Sequence, residues 1–352
     1  MSRVVLAAAA GLAITLLALE MLLRVLPVST ATMTGYHFDP DLLSYPAGHE
    51  WTVSTGWDLR NPQRLRSNNW GFASSRDFGV DPAAVALIGD SYVEASMLPA
   101  HERPDAQLES LLGGTRKVFG LGSPGTALLD YAQRARLASE QFQVKKYVIW
   151  LEAGDARQAL CGSGNVHSRC LDPRTLKPRV ERMPDPSTLK KIARHSAMAQ
   201  YFFGQLKLSP ARLVAAVWTR RTPEEPAKGE AGAAVRVTAA PLSVSKRSRE
   251  VVDAVVARYF DDVEPFLGGR FLFVVDGRRD GPAVVPDAKD LERKYLIERL
   301  RSHGVDVVDM EPIYAEHAAR SRLSLEVGPY DRHLNGLGVR LAMTQVAEWV
   351  RR

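Results

Sequence analysis

Two short motifs in this 352-residue chain hold the residue types of a nucleophilic active site. A Gly-Asp-Ser tripeptide at 89–91 directly follows a short apolar run, which predicts a buried strand. An Asp-Arg-His tripeptide at 331–333 stands just before a segment that predicts the last helix. A serine nucleophile needs a base to accept its proton and a carboxylate to orient that base. The sequence therefore points to serine-dependent chemistry, with Ser91, His333 and Asp331 in those roles.

The elements that must position these motifs alternate between strands and helices. Short apolar runs predict strands at 84–88, 116–120, 146–151, 270–275 and 305–309. Helical periodicity predicts helices at 104–113, 126–142, 248–266, 287–302 and 336–351. This alternation is typical of a parallel sheet that helices cover on both faces, with right-handed crossovers. The sequence therefore predicts an α/β domain.

Ligands of open α/β sheets bind at the carboxyl ends of the strands, and the next two strands also place suggestive residues there. The second strand leads into Gly-Leu-Gly-Ser-Pro-Gly at 120–125, and the third leads into Glu-Ala-Gly-Asp at 152–155. Backbone N–H groups of Ser91 and Gly125 are available to bind an oxyanion. The glycine spacing at 120–125 is also that of a dinucleotide loop. No acidic residue ends a following strand about twenty residues later, which argues against that interpretation.

Each catalytic assignment has a structural alternative. Ser91 has the residue type of a helix cap, and His333 that of a packed surface histidine. Asp90 is interpreted as a structural carboxylate that accepts N–H bonds within the turn. Only the catalytic interpretation requires Ser91 to contact His333.

Composition and charge exclude several classes of protein. Apolar residues make up 45% of the chain and charged residues 24%, which excludes disorder of the whole chain. The 46 Lys and Arg against 40 Asp and Glu give a net charge of +6, without a basic run interleaved with aromatics, so we expect no nucleic-acid partner. A mildly basic surface still suits acidic polysaccharide or anionic lipid. The histidines other than His333 have no partner at metal-ligand spacing, so neither a metal nor another cofactor is expected.

Residues 1–27 predict a membrane anchor. Val4–Leu23 is apolar except for Glu20 near one end, and its 20 residues would form a helix about 30 Å long, which matches a bilayer core. Arg3 favours a cytoplasmic N-terminus, so the rest of the chain would be exported. This predicts a single-pass protein of a bacterial inner membrane, with its main domain in the periplasm. A cleaved signal peptide and a buried helix of a soluble protein are the alternatives.

Export would allow a disulfide bond. The two cysteines, Cys161 and Cys170, enclose a short polar loop, and an oxidising periplasm permits a bond between them. Two unpaired thiols are the alternative. A metal site is disfavoured because His167 is the only other soft ligand nearby. A disulfide-dense scaffold is excluded by the low cysteine count.

The exported part begins with an extension at 28–80 and continues with the α/β domain at 81–352. The extension contains several prolines and asparagines, which favour an irregular path. Its tryptophans, Trp51, Trp57 and Trp70, favour turns that are pinned by buried rings.

An insertion at about 160–247 separates the third strand from the fourth. Residues 187–218 predict helix, and residues 222–249, which are rich in Ala, Pro, Lys and Glu, predict a mobile surface loop. Because the insertion follows the end of a strand, we expect it to lie at the carboxyl edge of the sheet and to build the acceptor part of a site there.

At residues 65–155 and 270–350 the sequence resembles the SGNH (GDSL-type) hydrolases, whose sequence blocks occur here in the same order. Arg-Ser-Asn-Asn-Trp-Gly-Phe at 66–72 is also similar to a membrane-anchored bacterial branch of that family. The resemblance implies a three-layer α/β/α sandwich with a five-stranded parallel sheet, of the flavodoxin-like kind. It also implies roles for four residues: Ser91 as nucleophile, Gly125 as a backbone donor to the oxyanion, His333 as base and Asp331 as its carboxylate.

The sequence departs from the family pattern in the third block. That block is usually Gly-Asn-Asp, and its Asn side chain donates to the oxyanion. Here Ala-Gly-Asp stands at 153–155, so the Asn is missing. An ionised Asp155 would repel an oxyanion, whereas a protonated one could donate to it. Gly154 and Asp155 are therefore the candidates for this corner of the site. The spacing of two between Asp331 and His333, where three is common, also occurs in the family.

These features predict an exported serine acyl-esterase or O-acyltransferase that acts on carbohydrate esters through an acyl-Ser91 intermediate. The resemblance implies acetyl groups of exopolysaccharide or envelope glycan as the substrate and, for a transferase, a membrane-bound acyl-donor partner. An alternative is a catalytically weak scaffold or polysaccharide-binding module, which the missing Asn favours and the retained triad disfavours. A lipid-directed esterase or thioesterase would fit the same triad and differ only in its pocket.

Overall fold

The computed structural model of the chain describes residues 2–31, 33, 37–38, 42–166, 169–181, 185–208, 243–266, 268–279 and 287–352. Its strands are β1 (His37–Phe38), β2 (Leu43–Ser44), β3 (Glu50–Thr55), β4 (Arg60–Arg66), β5 (Val85–Gly89), β6 (Val118–Gly122), β7 (Lys146–Leu151), β8 (Arg169–Leu171), β9 (Pro178–Val180), β10 (Arg270–Val275) and β11 (Asp306–Asp309). Its α-helices are α1 (Ser2–Val25), α2 (Ser91–Glu94), α3 (Pro104–Leu111), α4 (Leu128–Phe142), α5 (Asp155–Gln158), α6 (Thr188–Ala193), α7 (Ala197–Ala199), α8 (Lys246–Val263), α9 (Ala288–Ser302), α10 (Met310–Arg320) and α11 (Gly336–Arg351). Short 3₁₀-helices at Ala100–Glu102 and Glu264–Phe266 and a π-helical segment at Gln200–Gln205 complete the elements of the described residues.

A five-stranded parallel sheet lies at the centre, with its strands in the order β11-β10-β7-β5-β6. Successive residues of a strand point to opposite faces, so Ala86 and Ile88 of β5 join one buried cluster while Val85 and Leu87 join the other. Helices α4, α8 and α9 pack on the first face, and α3, α10 and α11 pack on the second. This is a three-layer α/β/α sandwich with a five-stranded parallel sheet, and the predicted fold class is confirmed.

Strand β6 begins and ends two residues later than predicted, because the first glycine, Gly120, does not end it. The strand continues through Gly122, which packing requires to be a glycine. A Cβ at Gly122 would lie 2.3 Å from the backbone nitrogen of Glu94 in α2. The glycine therefore marks a close approach between helix and strand, and not the end of the strand.

The extension at 28–80 contains more regular structure than predicted. Strands β3 and β4 form an antiparallel hairpin, and β1 pairs with β2. Of its three tryptophans only Trp51 is buried, with its ring stacked 4.2 Å from that of Tyr45. The expectation of buried rings is wrong for Trp57 and Trp70, which are exposed; the indole N–H of Trp57 donates to the hydroxyl of Tyr330 at 3.0 Å.

The insertion is described only at its two ends. The helix predicted at 187–218 is broken into α6, α7 and the π-helical segment, and its remainder lies outside the described residues. The loop predicted at 222–249 also lies mainly outside them, and its last four residues instead form the first turn of α8. Near Gly125 the insertion reaches the sheet's carboxyl edge, because the backbone N–H of Val166 donates to the carbonyl of Gly125 at 2.6 Å.

Helix α1 is long and apolar enough to cross a membrane. A signal sequence can have the same length and apolar composition. The side chains of α1 are exposed along most of its length, but its C-terminal end packs against the insertion. The Glu20 carboxylate accepts hydrogen bonds from the hydroxyl of Ser196 at 2.9 Å and from the backbone N–H groups of Ala197 and Met198 at 2.9 and 3.0 Å. Glu20 thereby satisfies the free N–H groups at the start of α7.

Candidate active site

Ser91, His333 and Asp331 form a hydrogen-bonded chain at the carboxyl end of β5. Nε2 of His333 lies 2.8 Å from Oγ of Ser91, and Nδ1 of His333 lies 2.5 Å from Oδ1 of Asp331. The two histidine nitrogens thus face a hydroxyl on one side and a carboxylate on the other. This is the geometry in which an imidazole can take a proton from a serine and be stabilised as a cation.

The turn between β5 and α2 presents the serine at its tip. At Gly89 a Cβ would lie 2.7 Å from Cγ2 of Val93, so the strand can turn directly into the helix only with glycine there. The helix cap is Asp90, whose side chain accepts the N–H of Tyr92 at 2.8 Å. Ser91 is therefore not the cap, and its hydroxyl is directed to His333.

Asp90 is almost fully buried, and this burial raises the pKa of its carboxyl to about 6. Its one direct partner among the described residues is the N–H that it caps. This hydrogen bond agrees with the interpretation of Asp90 as a structural carboxylate of the turn. The charge of Asp90 also contributes to raising the pKa of His333.

The carboxylate of Asp331 fixes the conformation of the loop that carries His333. Oδ1 of Asp331 accepts the backbone N–H of His333 at 2.9 Å in addition to facing its ring nitrogen. Burial alone would raise the pKa of Asp331, but the hydrogen bonds and charge of His333 outweigh it and hold that pKa below its ordinary value. Burial likewise disfavours the charged imidazole, yet the hydrogen bond and charge of Asp331 raise the pKa of His333 above 6.5.

A residue that the sequence analysis missed, Arg279, connects this loop to α2, the helix that Ser91 begins. Its guanidinium donates to the carbonyl of Arg332 at 2.6 Å, to the hydroxyl of Tyr92 at 2.7 Å and to the carboxylate of Asp276 at 2.7 Å. Tyr92 in turn lies beside the ring of His333, with 5.6 Å between the ring centroids. Arg279 therefore holds the His333 loop, α2 and the end of β10 in one arrangement.

We expect Arg279→Gln to lower kcat of the triad reaction by up to about 10²-fold, because a small displacement of a catalytic base has an effect of that size. The charge of Arg279 lowers the pKa of His333, so the variant should also move the pH profile of kcat/KM to higher pH. Arg332→Gln is the matched control, because Arg332 lies on the same loop with an exposed ion pair to Glu326. Equal kinetics and an equal pH profile for Arg279→Gln and the wild type would contradict the positioning role.

Two backbone N–H groups are placed to receive an oxyanion at this edge. The N–H groups of Ser91 and Gly125 have no hydrogen-bond acceptor within the described part of the chain. Gly125 has a φ of +72°, a conformation that favours glycine, and its carbonyl is turned to Val166. Both donors stay candidates for the role that the resemblance implies.

Asp155 is enclosed and does not lie on an open surface. Its Oδ2 accepts the hydroxyl of Tyr131 at 3.1 Å and the backbone N–H of Glu152 at 3.0 Å. Burial, reinforced by the charges of Asp90 and Glu152, raises the pKa of Asp155 well above its ordinary value. Burial therefore favours the neutral form of this carboxyl, which weakens the repulsion that an ionised Asp155 would exert on an oxyanion.

We expect Asp155→Asn to fold and to gain thermal stability relative to the wild type as the pH rises above about 4, the ordinary pKa of an aspartate. A buried carboxyl with a raised pKa binds its proton more tightly in the folded than in the unfolded chain. The wild type therefore loses stability as the pH increases above that value, whereas the amide does not titrate. Melting curves at several pH values measure the difference, and a difference independent of pH would contradict a raised pKa of Asp155.

The space in front of Gly154, where the family's Asn would project, is filled by other side chains. A Cβ at Gly154 would lie 2.9 Å from Oε2 of Glu152 and 3.0 Å from Nε2 of Gln158. That same Nε2 donates to Glu152 at 2.7 Å. The side-chain amide of Gln158 thus lies beside Gly154, where the family's Asn side chain would begin. Sequence reasoning missed this residue, and the one signal for it is its position at the end of α5, the short helix that follows β7.

The loop between Cys161 and Cys170 adjoins the same corner. The two cysteines form a disulfide bond, with their Cα atoms 5.1 Å apart. Within the loop, Nδ2 of Asn165 donates to Oε1 of Gln158 at 2.8 Å. His167, named as a possible soft ligand, lies outside the described residues. The disulfide therefore encloses the residue that fixes the orientation of the Gln158 amide.

Comparison with known proteins gives similarity of structure only. No protein-family model matches the chain, and no curated protein matches it in sequence. A solved structure of a lipolytic G-D-S-L family member from Veillonella parvula is 13% identical, over 76% of this chain and 97% of that one, with a TM-score of 0.39. A carbohydrate acetylesterase family member from Sinorhizobium meliloti is 14% identical, over 76% and 97%, with a TM-score of 0.34.

A third solved structure is a Corynascus thermopiles carbohydrate esterase family 2 enzyme with a carbohydrate-binding domain. It is 11% identical, over 78% of this chain and 67% of that one, with a TM-score of 0.36. Likeness at this level does not indicate a shared activity. The strand order and the helices on both faces confirm, at the level of the fold, the resemblance to the SGNH hydrolases that the sequence predicted.

Proposed function

We propose that the chain is an exported, membrane-anchored serine esterase or O-acyltransferase that acts on acetyl esters of carbohydrate. The observation that carries this proposal is the hydrogen-bonded chain from Ser91 Oγ through His333 to Asp331, at 2.8 and 2.5 Å. If His333 were only a packed surface histidine, contacts with both Ser91 and Asp331 would not be expected. The carbohydrate class of the ester follows from the sequence resemblance alone.

The reaction proceeds in two steps through Ser91. Its Oγ attacks the ester carbonyl carbon while Nε2 of His333 takes the hydroxyl proton, and the negative charge develops on the carbonyl oxygen. Collapse of this adduct breaks the ester bond, and the departing sugar hydroxyl takes the proton from His333. Water or a second sugar hydroxyl then attacks the acyl-Ser91 carbonyl, gives its proton to His333, and releases Ser91 with the proton returned to Oγ. Water as the second nucleophile makes the chain an esterase, and a sugar makes it a transferase.

Retention of α1 as an anchor is supported by its contacts with the rest of the chain. The carboxylate of Glu20 holds the start of α7, and the guanidinium of Arg24 donates to the carbonyl of His195 at 3.2 Å. Loss of α1 would leave the N–H groups at the start of α7 without that carboxylate. The orientation, with Arg3 in the cytoplasm and the triad in the periplasm, follows from the positive-inside rule.

A catalytically weak scaffold or polysaccharide-binding module is the second candidate. The observation that favours it is Gly154, which stands where the family has its oxyanion Asn. The complete triad favours the enzyme, because a scaffold has no chemical use for Ser91, His333 and Asp331 in contact.

The test uses the full chain in non-ionic detergent with an activated acetyl ester, followed by intact mass and by product release. We expect one acetyl group on the wild type and on Ser110→Ala, an exposed serine that serves as the control, and none on Ser91→Ala. Turnover with water alone identifies an esterase, and turnover that requires an added oligosaccharide identifies a transferase. A folded wild type that neither becomes acetylated nor turns over would establish the scaffold instead.

A further inference from the structure

A cavity of about 480 Å³ lies between the insertion and the loop that follows β6. It is lined mainly by apolar groups, with two basic side chains among them. The residues that the argument uses are Tyr45, Pro124, Lys190, Ala193, Arg194 and Phe203. A cavity of this size can enclose most of a small ligand, and the mixture of apolar wall and positive charge fits an apolar chain with an anionic head.

The cavity adjoins the carboxyl edge of the sheet. Pro124 directly precedes Gly125, the candidate oxyanion donor. The hydroxyl of Tyr45 donates to the carboxylate of Glu94 at 3.4 Å, and Glu94 is the last residue of the helix that Ser91 begins. A molecule bound in the cavity would therefore lie beside the nucleophile's helix without contacting the triad.

The wall of the cavity that α6 and α7 form is fixed to the end of the candidate membrane helix. Glu20, which binds the start of α7, stands five residues before the end of α1, or about 7 Å along the helix axis at 1.5 Å per residue. The start of α7 is thus level with the last turns of α1. In a helix that spans a bilayer, those turns lie at the boundary between the hydrocarbon core and the headgroups.

The insertion presents the composition of an interfacial segment at that level. Leu189, Ile192 and Phe203 are 77%, 66% and 51% exposed, far more than apolar residues of a folded core. Lys190 and Lys191 alternate with them in α6 and are also exposed. Exposed apolar side chains among lysines are typical of segments that lie in a membrane surface and attract anionic lipids.

We propose that this cavity binds one anionic phospholipid of the membrane's periplasmic leaflet, with one of its two acyl chains against Tyr45, Pro124 and Phe203 and its phosphate against Lys190 and Arg194. The lipid would hold the carboxyl edge of the sheet against the bilayer surface. This inference rests on the anchoring of α1 that is part of the proposed function, but it does not depend on the ester chemistry.

The test is a titration of the detergent-solubilised full chain with phosphatidylglycerol, followed by native mass spectrometry. We expect saturation at one lipid per chain, weaker binding of zwitterionic phosphatidylcholine, and no saturation with glycerol phosphate, which carries the head without the chain. Lys190→Gln with Arg194→Gln should weaken phosphatidylglycerol binding by about thirtyfold, from the loss of two charges near a lipid phosphate. Lys294→Gln with Arg301→Gln removes two exposed charges from α9 and should leave the affinity unchanged.

A second variant, Ala193→Trp, fills the cavity and should abolish binding of the single lipid. Ser91→Ala should bind it as the wild type does, so that failure of the esterase proposal and failure of this one are distinguishable. Wild-type affinity in the double charge variant, or in a folded Ala193→Trp, would overturn the proposal and assign any bound lipid to the surface of α1. Equal binding of glycerol phosphate would also overturn it, because the site would then recognise free phosphate. If Ala193→Trp does not fold, the charge variants and the glycerol phosphate titration decide the question alone.

Discussion

Replacing His333 by alanine should lower kcat/KM for an activated acetyl ester by about 10⁴-fold, the effect expected when a serine loses its general base. The reason is the 2.8 Å contact between Nε2 of His333 and Oγ of Ser91, because no other basic group contacts that hydroxyl within the described part of the chain. Combining His333→Ala with Ser91→Ala should cost little more than either alone, since the two residues act as one unit. Steady-state kinetics of the three variants measure this.

The wild-type pH profile should follow the charge of His333. A protonated imidazole cannot accept a proton from Ser91, so kcat/KM should increase with pH through a pKa above 6.5. Asp331 and Asp90 raise that pKa, and Arg279 lowers it. Asp331→Asn removes the strongest of the raising charges, so the inflection of the residual activity should move to lower pH.

His317→Ala is the matched control, because His317 is a half-buried histidine whose ring has its one hydrogen bond among the described residues with the carbonyl of Leu323. It should keep the wild-type rate and pH profile. A rate that is independent of pH between about 5 and 8, or a His333→Ala variant with wild-type activity, would exclude His333 as the base.

The central sheet could be predicted from the sequence because its strands are buried on both faces. A parallel strand between two helical layers consists of consecutive apolar residues, as in Lys146–Leu151, where five of six are buried. That the candidate residues lie close together could be predicted for a related reason. The carboxyl ends of such strands meet at one edge, so Ser91 after β5 and the residues after β6 and β7 had to be neighbours.

The hairpin of β3 and β4 was missed because turn-forming residues stand between its strands and within β4. Gly56, Asn61 and Pro62 interrupt any alternating pattern, and Asn61 has a positive φ. A two-stranded ribbon has free edges, where a proline such as Pro62 removes no hydrogen bond of the ladder. Turn-forming residue types therefore do not exclude strands at the edge of a fold.

Arg279 was missed because its contacts are distant in sequence. It lies 187 residues from Tyr92 and 53 from Arg332, and neither spacing is readable as a motif. One available signal was its place just after β10, at the same edge of the sheet as the other active residues. Charged residues after every strand of a parallel sheet are therefore worth weighing as positioning groups, even where no family motif covers them.

The largest departure from the family pattern, the missing Asn, leads to the second prediction. Gln158→Ala should lower kcat by about 10²-fold or more with little change in KM, the effect of removing one donor to an oxyanion. One N–H of the Gln158 amide donates to Glu152, and its carbonyl accepts from Asn165, so the orientation of the amide is fixed. Its second N–H has no acceptor among the residues that the structure describes. The amide stands 3.0 Å from where a side chain at Gly154 would begin. We therefore expect Gln158 to supply the donor that Gly154 lacks.

Rescue separates this role from a structural one. Gly154 has a φ of −100°, which residues other than glycine adopt freely. Loss of the Gln158 amide removes one of the two groups that a Cβ at 154 would meet, and the other is the carboxylate at the end of the flexible Glu152 side chain. Gln158→Ala with Gly154→Asn should therefore recover most of kcat, whereas Gln141→Ala, an exposed glutamine of α4, should leave it unchanged. A Gln158→Ala variant with wild-type kcat would show that the two N–H groups of Ser91 and Gly125 suffice. A low kcat that Asn at 154 does not restore would assign Gln158 to the support of Glu152 and the disulfide loop. Only recovery by Asn at 154 would establish that an amide at position 158 has the role in oxyanion binding that the family assigns to an Asn at position 154.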